Sequence, residues 1–152
     1  MAEKRLIDLY PYKLEGNQRY FLLFKRAAGN IYEGQWRMVG GKVKSGESYW
    51  EAALRELYEE TGLKPLTMWT IPSVNSFYEY RTDSILHIPA FAAEIDGEET
   101  IDLNSEHSEY SWFSIDEAVD KINWPEQRRL LKLTDSLITS NQILKDWHVP
   151  IS

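Results

Sequence analysis

The sequence contains no cysteine. That absence removes disulfides, thiolate zinc sites, iron–sulfur ligation and cysteine nucleophiles together. Long apolar runs are missing as well, none approaching the ~18 residues a membrane-spanning helix needs. The N-terminus Met1-Ala2-Glu3-Lys4-Arg5 lacks the apolar core of a signal peptide, so a cytoplasmic location without a membrane partner is expected. Positive charge is in deficit, with 17 Lys and Arg against 24 Asp and Glu and a formal net charge of −7. Such a chain has no general attraction for nucleic acid, whose binders carry a basic face. A small polyanion stays compatible with this charge where cations bring it in. Repeats, low-complexity tracts and Pro/Ser linkers are absent, so positions 1–152 read as one domain. With 43% hydrophobic and 27% charged residues the composition is globular, not disordered.

What the chain does have is pattern. Leu6 to Tyr12 alternates and predicts a strand ending at Pro11; Arg19 to Arg26 predicts a second, apolar on both faces. Gln35 to Val39 predicts a short strand running into Gly40-Gly41. Ser48 with Glu51 forms a capping box, Trp50, Ala53, Leu54 and Leu57 form an apolar stripe, and Thr61-Gly62 supplies a stop. This is the clearest helix. Thr67–Ile71, Asn75–Tyr80, Ile85–Ile95 and Tyr110–Phe113 predict further strands. Ser114 and Glu117 repeat the capping box before a short helix to Ile122, and Pro125 opens a longer one. Strands with interspersed helices predict a sheet covered by helices.

Glu56, Glu59 and Glu60 share one face of the capped helix. Like charges at that spacing destabilise a bare helix by roughly 0.2–0.5 kcal/mol per pair. Taken alone the trio reads as a solvated acidic face or as oxygen ligands for a hard divalent cation. The flanks decide between them. From Gly41 the chain reads Gly, five residues, Glu47, seven residues, Arg55-Glu56-Leu57, one residue, Glu59-Glu60, one residue, Gly62-Leu63. At typical residue usage such a match arises by chance on the order of once in 10⁹ starting positions.

This segment, 41–63, resembles the Nudix box, G-x5-E-x7-R-E-U-x-E-E-x-G-U with U aliphatic, at every fixed position. The resemblance implies an α/β (α+β) Nudix fold, an α/β/α sandwich with a mixed β-sheet. It implies hydrolysis of a nucleoside diphosphate linked to a further group, with Mg²⁺, or Mn²⁺ in its place, as cofactor. Carried onto this chain it makes Glu56, Glu59 and Glu60 metal-binding carboxylates and Gly40 a carbonyl ligand beside the substrate. It makes Glu47 and Arg55 a pair bracing loop against helix in support of catalysis, and Glu59 the preferred proton acceptor. Glu106-His107 with Tyr110 and Trp112 resembles a stretch of the bacterial dATP and dihydroneopterin triphosphate pyrophosphohydrolases. That likeness implies a metal-holding or catalytic role for Glu106 and a phosphate contact for Arg26, with Lys25 as the alternative. His107 is read as a packed or solvated imidazole. Asn75 and Phe77 are candidate substrate wall, an amide to read a ring edge and a ring to stack.

The expected activity is a pyrophosphohydrolase releasing pyrophosphate from a (deoxy)nucleoside or dihydroneopterin triphosphate. Hydrolysis of dinucleoside polyphosphates or nucleotide sugars is the alternative within enzymes, and a non-catalytic nucleotide sensor the alternative outside them. The expected partners are a small-molecule nucleotide or pterin triphosphate and, as oligomer, a homodimer.

Overall fold

Strand β1 (Leu6–Glu15) is the strand on which the sheet is assembled, in a computed structural model that describes residues 4–151. Positions 1–3, part of the N-terminal stretch considered above, lie outside the described residues. A tight turn with Gly16 at φ 60° returns the chain as β2 (Gln18–Arg26), antiparallel to the far half of β1 from Tyr12 to Glu15. Strand β3 (Trp36–Arg37) then pairs with β2 at Phe24 and Lys25, and β4 (Val39–Lys42) pairs with the near half of β1, Leu6 to Leu9. The first two strands therefore splay, and β3–β4 enters between them as a wedge. Helix α1 (Tyr49–Thr61) follows, then the antiparallel pair β5 (Thr67–Glu79) and β6 (Ser84–Glu94). Because β6 runs parallel to β1, the sheet is mixed. Strand β7 (His107–Phe113) closes the outer side of β2, before helices α2 (Ile115–Lys121) and α3 (Pro125–Thr139) and a 3-10 turn, Lys145–Trp147.

The two-residue period of the strands sorts the side chains into two cores. Ile7, Leu9, Leu22 and Phe24 face Ala53 and Leu57 of α1. Tyr10, Tyr12, Phe21 and Leu23 face Ala118 of α2 and Leu130 and Leu131 of α3. The architecture is the α/β/α sandwich with a mixed sheet. Both capping boxes form, Ser48 with Glu51 and Ser114 with Glu117, and α1 stops where Gly62 takes φ 76°. No helix among the described residues is long and apolar enough to cross a membrane.

Four element boundaries differ from the sequence pattern. The first strand runs through Pro11 instead of ending there, because Pro11 falls in the interval where that side of β1 has left β4 at Leu9 and not yet met β2 at Tyr12. The missing N–H costs little in such a gap. The two strands expected over 67–80 are one strand, β5, whose register shifts between Thr70 and Val74, an interval containing Pro72. The strand expected at 35–39 is split at Met38, and Gly40-Gly41 lie inside β4 rather than after it. Strand β7 begins at His107, not Tyr110, carried on by pairing with Arg26 of β2.

Candidate active site

Helix α1 carries two rows of charge one turn apart. Arg55 and Glu59 form the outer row, and Glu56 and Glu60 the inner row against the wedge. Arg55 is the hub. Its Nε donates to Glu47 Oε2 at 2.8 Å and its Nη2 to Glu47 Oε1 at 2.9 Å and to the Lys42 carbonyl at 2.8 Å. The fork geometry ties the loop 43–48 to the helix at both carboxylate oxygens. Lys44 N–H also donates to Glu47 Oε1 at 3.0 Å. Arg55 beside it, with this backbone donor, holds the Glu47 carboxyl down at about 2, while Glu47 in turn raises Arg55. Through Nη1, Arg55 reaches Glu56 Oε1 at 2.9 Å and Glu59 Oε2 at 3.2 Å. Glu59 has its other oxygen 3.9 Å from Lys44 Nζ and a half-exposed side chain.

The inner row is built differently. Gly41 lies directly under Glu56, where a Cβ would stand only 2.3 Å from Glu56 Cδ. The wedge admits that carboxylate because position 41 has no side chain. Glu60 is only 2% exposed, and no donor among the described residues reaches its Oε2. Its Oε1 lies 3.6 Å from Nε2 of His107, too long for a hydrogen bond. His107 itself is buried, packed on the Phe24 ring at 5.1 Å, with its Nδ1 unpartnered among the described residues. Burial and the charge of Arg26 push its imidazole down to about 4, so it is neutral and cannot balance Glu60. Burial, with Glu56 and then Glu106 nearby, pushes the Glu60 carboxyl up to about 9.

Glu106 reaches this centre because the segment 101–106 packs on the end of α1, with Asp102 N–H donating to the Thr61 carbonyl at 2.9 Å. Asn104 Nδ2 steadies Glu106 Oε2 at 3.2 Å. Arg26 follows Leu22 and Phe24 on the α1 face of β2, at a register shift beside His107, and its charge lowers both Glu60 and His107. Lys25 points elsewhere, toward Glu109 at 3.8 Å. Gly40 is exposed on β4 beside Asp8. The structure thus brings Glu56, Glu60, Glu106 and Arg26 to one place, with Glu47 and Arg55 as their brace. It leaves Glu59 on the outer row. Among the described residues no three acidic or imidazole groups already stand as a metal cage, Arg55 drawing Glu56 and Glu59 toward itself. The donor set nevertheless suits a hard cation. An unpartnered, buried carboxylate oxygen among further carboxylates is relieved by a divalent ion with oxygen preference.

Asn75 and Phe77 lie on the other face, with partners the sequence did not point to. Asp8, only 5% exposed, accepts at Oδ2 from Asn75 Nδ2 at 3.3 Å and from Gln127 Nε2 at 3.2 Å. Burial raises its carboxyl above the ordinary range, against the two amides and Arg37. Asn75 Oδ1 accepts from Trp124 Nε1 at 3.3 Å, and Phe77 meets the Trp124 ring edge-on at 5.2 Å. A charge at the inward position of β1, between Ile7 and Leu9, was the one available sign of Asp8.

Comparison with known proteins agrees with this geometry. The NUDIX domain family matches residues 12–134, most of the chain. The chain belongs to the NUDIX family of hydrolases. It is 32% identical over 109 residues to the nucleoside triphosphatase NudI of Salmonella agona (strain SL483), covering 66% of this chain and 77% of that protein. A NUDIX hydrolase structure from Listeria monocytogenes superposes with a TM-score of 0.79 at 20% identity, covering 93% of this chain and 98% of the other. The Ap4A hydrolase of C. elegans, as a binary complex, gives 0.73 at 19% identity, over 90% and 99% of the two chains. At these identities the two structures speak for the fold.

Proposed function

We propose that this chain is a Mg²⁺-dependent pyrophosphohydrolase that cleaves a (deoxy)nucleoside or dihydroneopterin triphosphate to monophosphate and pyrophosphate. The observation that carries the reading is the buried Glu60 carboxylate, unpartnered at Oε2, beside Glu56 and Glu106. The similarity to NudI, named a nucleoside triphosphatase, supports a triphosphate substrate. Glu56 and Glu60 would hold the cation, with Glu106 and the Gly40 carbonyl completing its oxygen donors. When bound, such an ion neutralises phosphate charge and lowers the pKa of a bound water.

The chain supplies the rest. Arg26 offers a fixed positive charge for a phosphate oxygen, held by its Nε to the Ile31 carbonyl at 3.1 Å. The Glu47–Arg55 fork holds the loop 43–48 on α1, so the carboxylates keep their spacing while a polyanion binds. Glu59, half exposed outside the inner row, would take the proton of the attacking water. Its Arg55 contact keeps it aimed along the helix surface. Turnover in ¹⁸O-water followed by mass spectrometry of both products tests the bond cleaved. Label in the monophosphate is expected, from attack at the α-phosphorus. Label in orthophosphate would overturn the pyrophosphohydrolase reading and leave the fold untouched.

A further inference from the structure

Asp8 has no structural need to be a carboxylate. It sits on β1 with Gly40 of β4 on one side and Ala90 of β6 on the other, at 5% exposure. Buried charge is unfavourable unless each oxygen is satisfied, and an asparagine oxygen would accept the same amide donors without it. Asn75 and Gln127 both donate to Oδ2, while Oδ1 has no hydrogen-bond partner among the described residues. Among the described residues no cation neutralises it by contact. Arg37 acts on it only through space, its guanidinium lying over the Tyr32 ring at 4.2 Å.

The free oxygen faces a way in. Asp8 Oδ1 lies 3.7 Å from where a Cβ on Gly40 would stand, and Gly40 is an exposed residue of the wedge. Beside it, Trp124 is 43% exposed and bonded to Asn75, with Phe77 against its ring. Two aromatic surfaces next to one unpaired acceptor are the parts a flat heterocycle needs, faces to lie on and an edge to read. The position is right for a nucleotide. Gly40 beside Asp8 and Gly41 under Glu56 are consecutive on β4 and face opposite sides of the sheet, so one ligand passing over the wedge would place its ring at Asp8 and its phosphates at the inner row of α1.

We propose that Asp8, Asn75, Phe77, Trp124 and Gln127 form the ring-selecting part of the active site, and that it takes a ring bearing an exocyclic amine. The amine donates to Asp8 Oδ1. A carbonyl at the same place would bring two acceptors together and leave Oδ1 covered without a donor. Selection of this kind is strong because the penalty falls on the wrong ligand. The inference rests on the triphosphate reading above, which takes the phosphates to α1.

The test compares amino and deaminated partners: dCTP with dUTP, dGTP with dXTP, and dATP with dITP. Binding of the α,β-methylene analogues is measured by titration calorimetry with Mg²⁺ in excess, and turnover of the natural triphosphates by pyrophosphate release. In at least one pair the amino member is expected to bind about 10–100-fold tighter, with the difference in KM rather than kcat. In Asp8→Asn that ratio falls to within about threefold. In Trp124→Ala both members of the pair weaken while the ratio survives, because the indole supplies face and not edge. Wild-type ratios within threefold in all three pairs would overturn the proposal, whether or not Asp8→Asn folds. So would a folded Asp8→Asn that weakens both members equally, the mark of a merely structural carboxylate. Discrimination in binding without any turnover would sink the pyrophosphohydrolase reading and leave the ring site standing.

Discussion

Glu47 and Glu60 belong to one short segment and meet opposite fates. Glu47 is gripped by the Arg55 fork and a backbone N–H, and its carboxyl is held down at about 2. Glu60 is buried with a neutral imidazole on one side and acidic neighbours on the other, and its carboxyl is pushed up to about 9. The first carboxylate is finished by the fold. The second is left unfinished by it, and a protein keeps such a group where something else completes it. The contrast separates scaffold from site within a single helix and its preceding loop.

The contrast can be broken most sharply at the inner row. Glu56→Gln and Glu60→Gln should each lower kcat about a hundredfold or more, as should Glu59→Gln if it takes the proton, measured by pyrophosphate release in Mg²⁺. Near-wild-type turnover in all three would remove the metal assignment. Without metal, Glu60→Gln should melt higher than wild type at pH 8. A folded carboxyl raised to about 9 makes the unfolded, ionised chain relatively more favourable as pH climbs above the ordinary 4.5, and glutamine removes that loss. The same measurement with Mg²⁺ should reverse the order, since only wild type gains stability from the ion. Glu106→Gln is expected to cost less, about tenfold in rate, while Mg²⁺ still raises the melting temperature, because its carboxylate is brought from outside the helix.

Breaking the other partner of the comparison should read out as stability. Arg55→Lys replaces a two-pronged grip with a point charge, and about 2 kcal/mol of unfolding free energy should be lost in denaturant titration. Glu47 sets the pH window. Its stabilisation is complete above the ordinary 4.5 and is lost as pH falls toward about 2, so wild type should lose stability there while Glu47→Gln changes less. The smallest effect belongs to the caps. Ser114→Ala should cost about 1 kcal/mol and leave kcat unchanged, because α2 meets the sheet on the face away from α1.

The candidate site was legible in the sequence where its parts are near neighbours in the chain. Glu47, Arg55, Glu56, Glu59 and Glu60 stand at fixed helical and loop spacings, so their nearness follows from 3.6 residues per turn. That spacing grouped Glu59 with Glu56 and Glu60, although the structure leaves it on the outer row with Arg55. Glu106 and Arg26 were visible only through likeness to a family. Nothing in their local pattern distinguishes them from surface residues, and what joins them to Glu60 is the pairing of β7 with β2 and the packing of 101–106 on α1. Pro11 misled for the same reason. A proline ends a strand whose neighbours need its N–H, and only the wedge of β3–β4 shows that here they do not.

Composition, capping and periodicity by themselves determined a cysteine-free, acidic chain, its capped helices, most of its strands and the carboxylates of the box. These are properties of residues within a turn or two of each other, where backbone geometry leaves few choices. Tertiary structure alone decided the pairs that lie far apart: Glu60 against His107, and Asp8 against Asn75 and Gln127. Whether a polar side chain is satisfied depends on which distant donor the packed sheet and helices bring to it. Asp8 and Glu60 read as ordinary acids in the chain, and each becomes a buried carboxylate, with one oxygen that no donor among the described residues reaches, only when the sandwich closes over it.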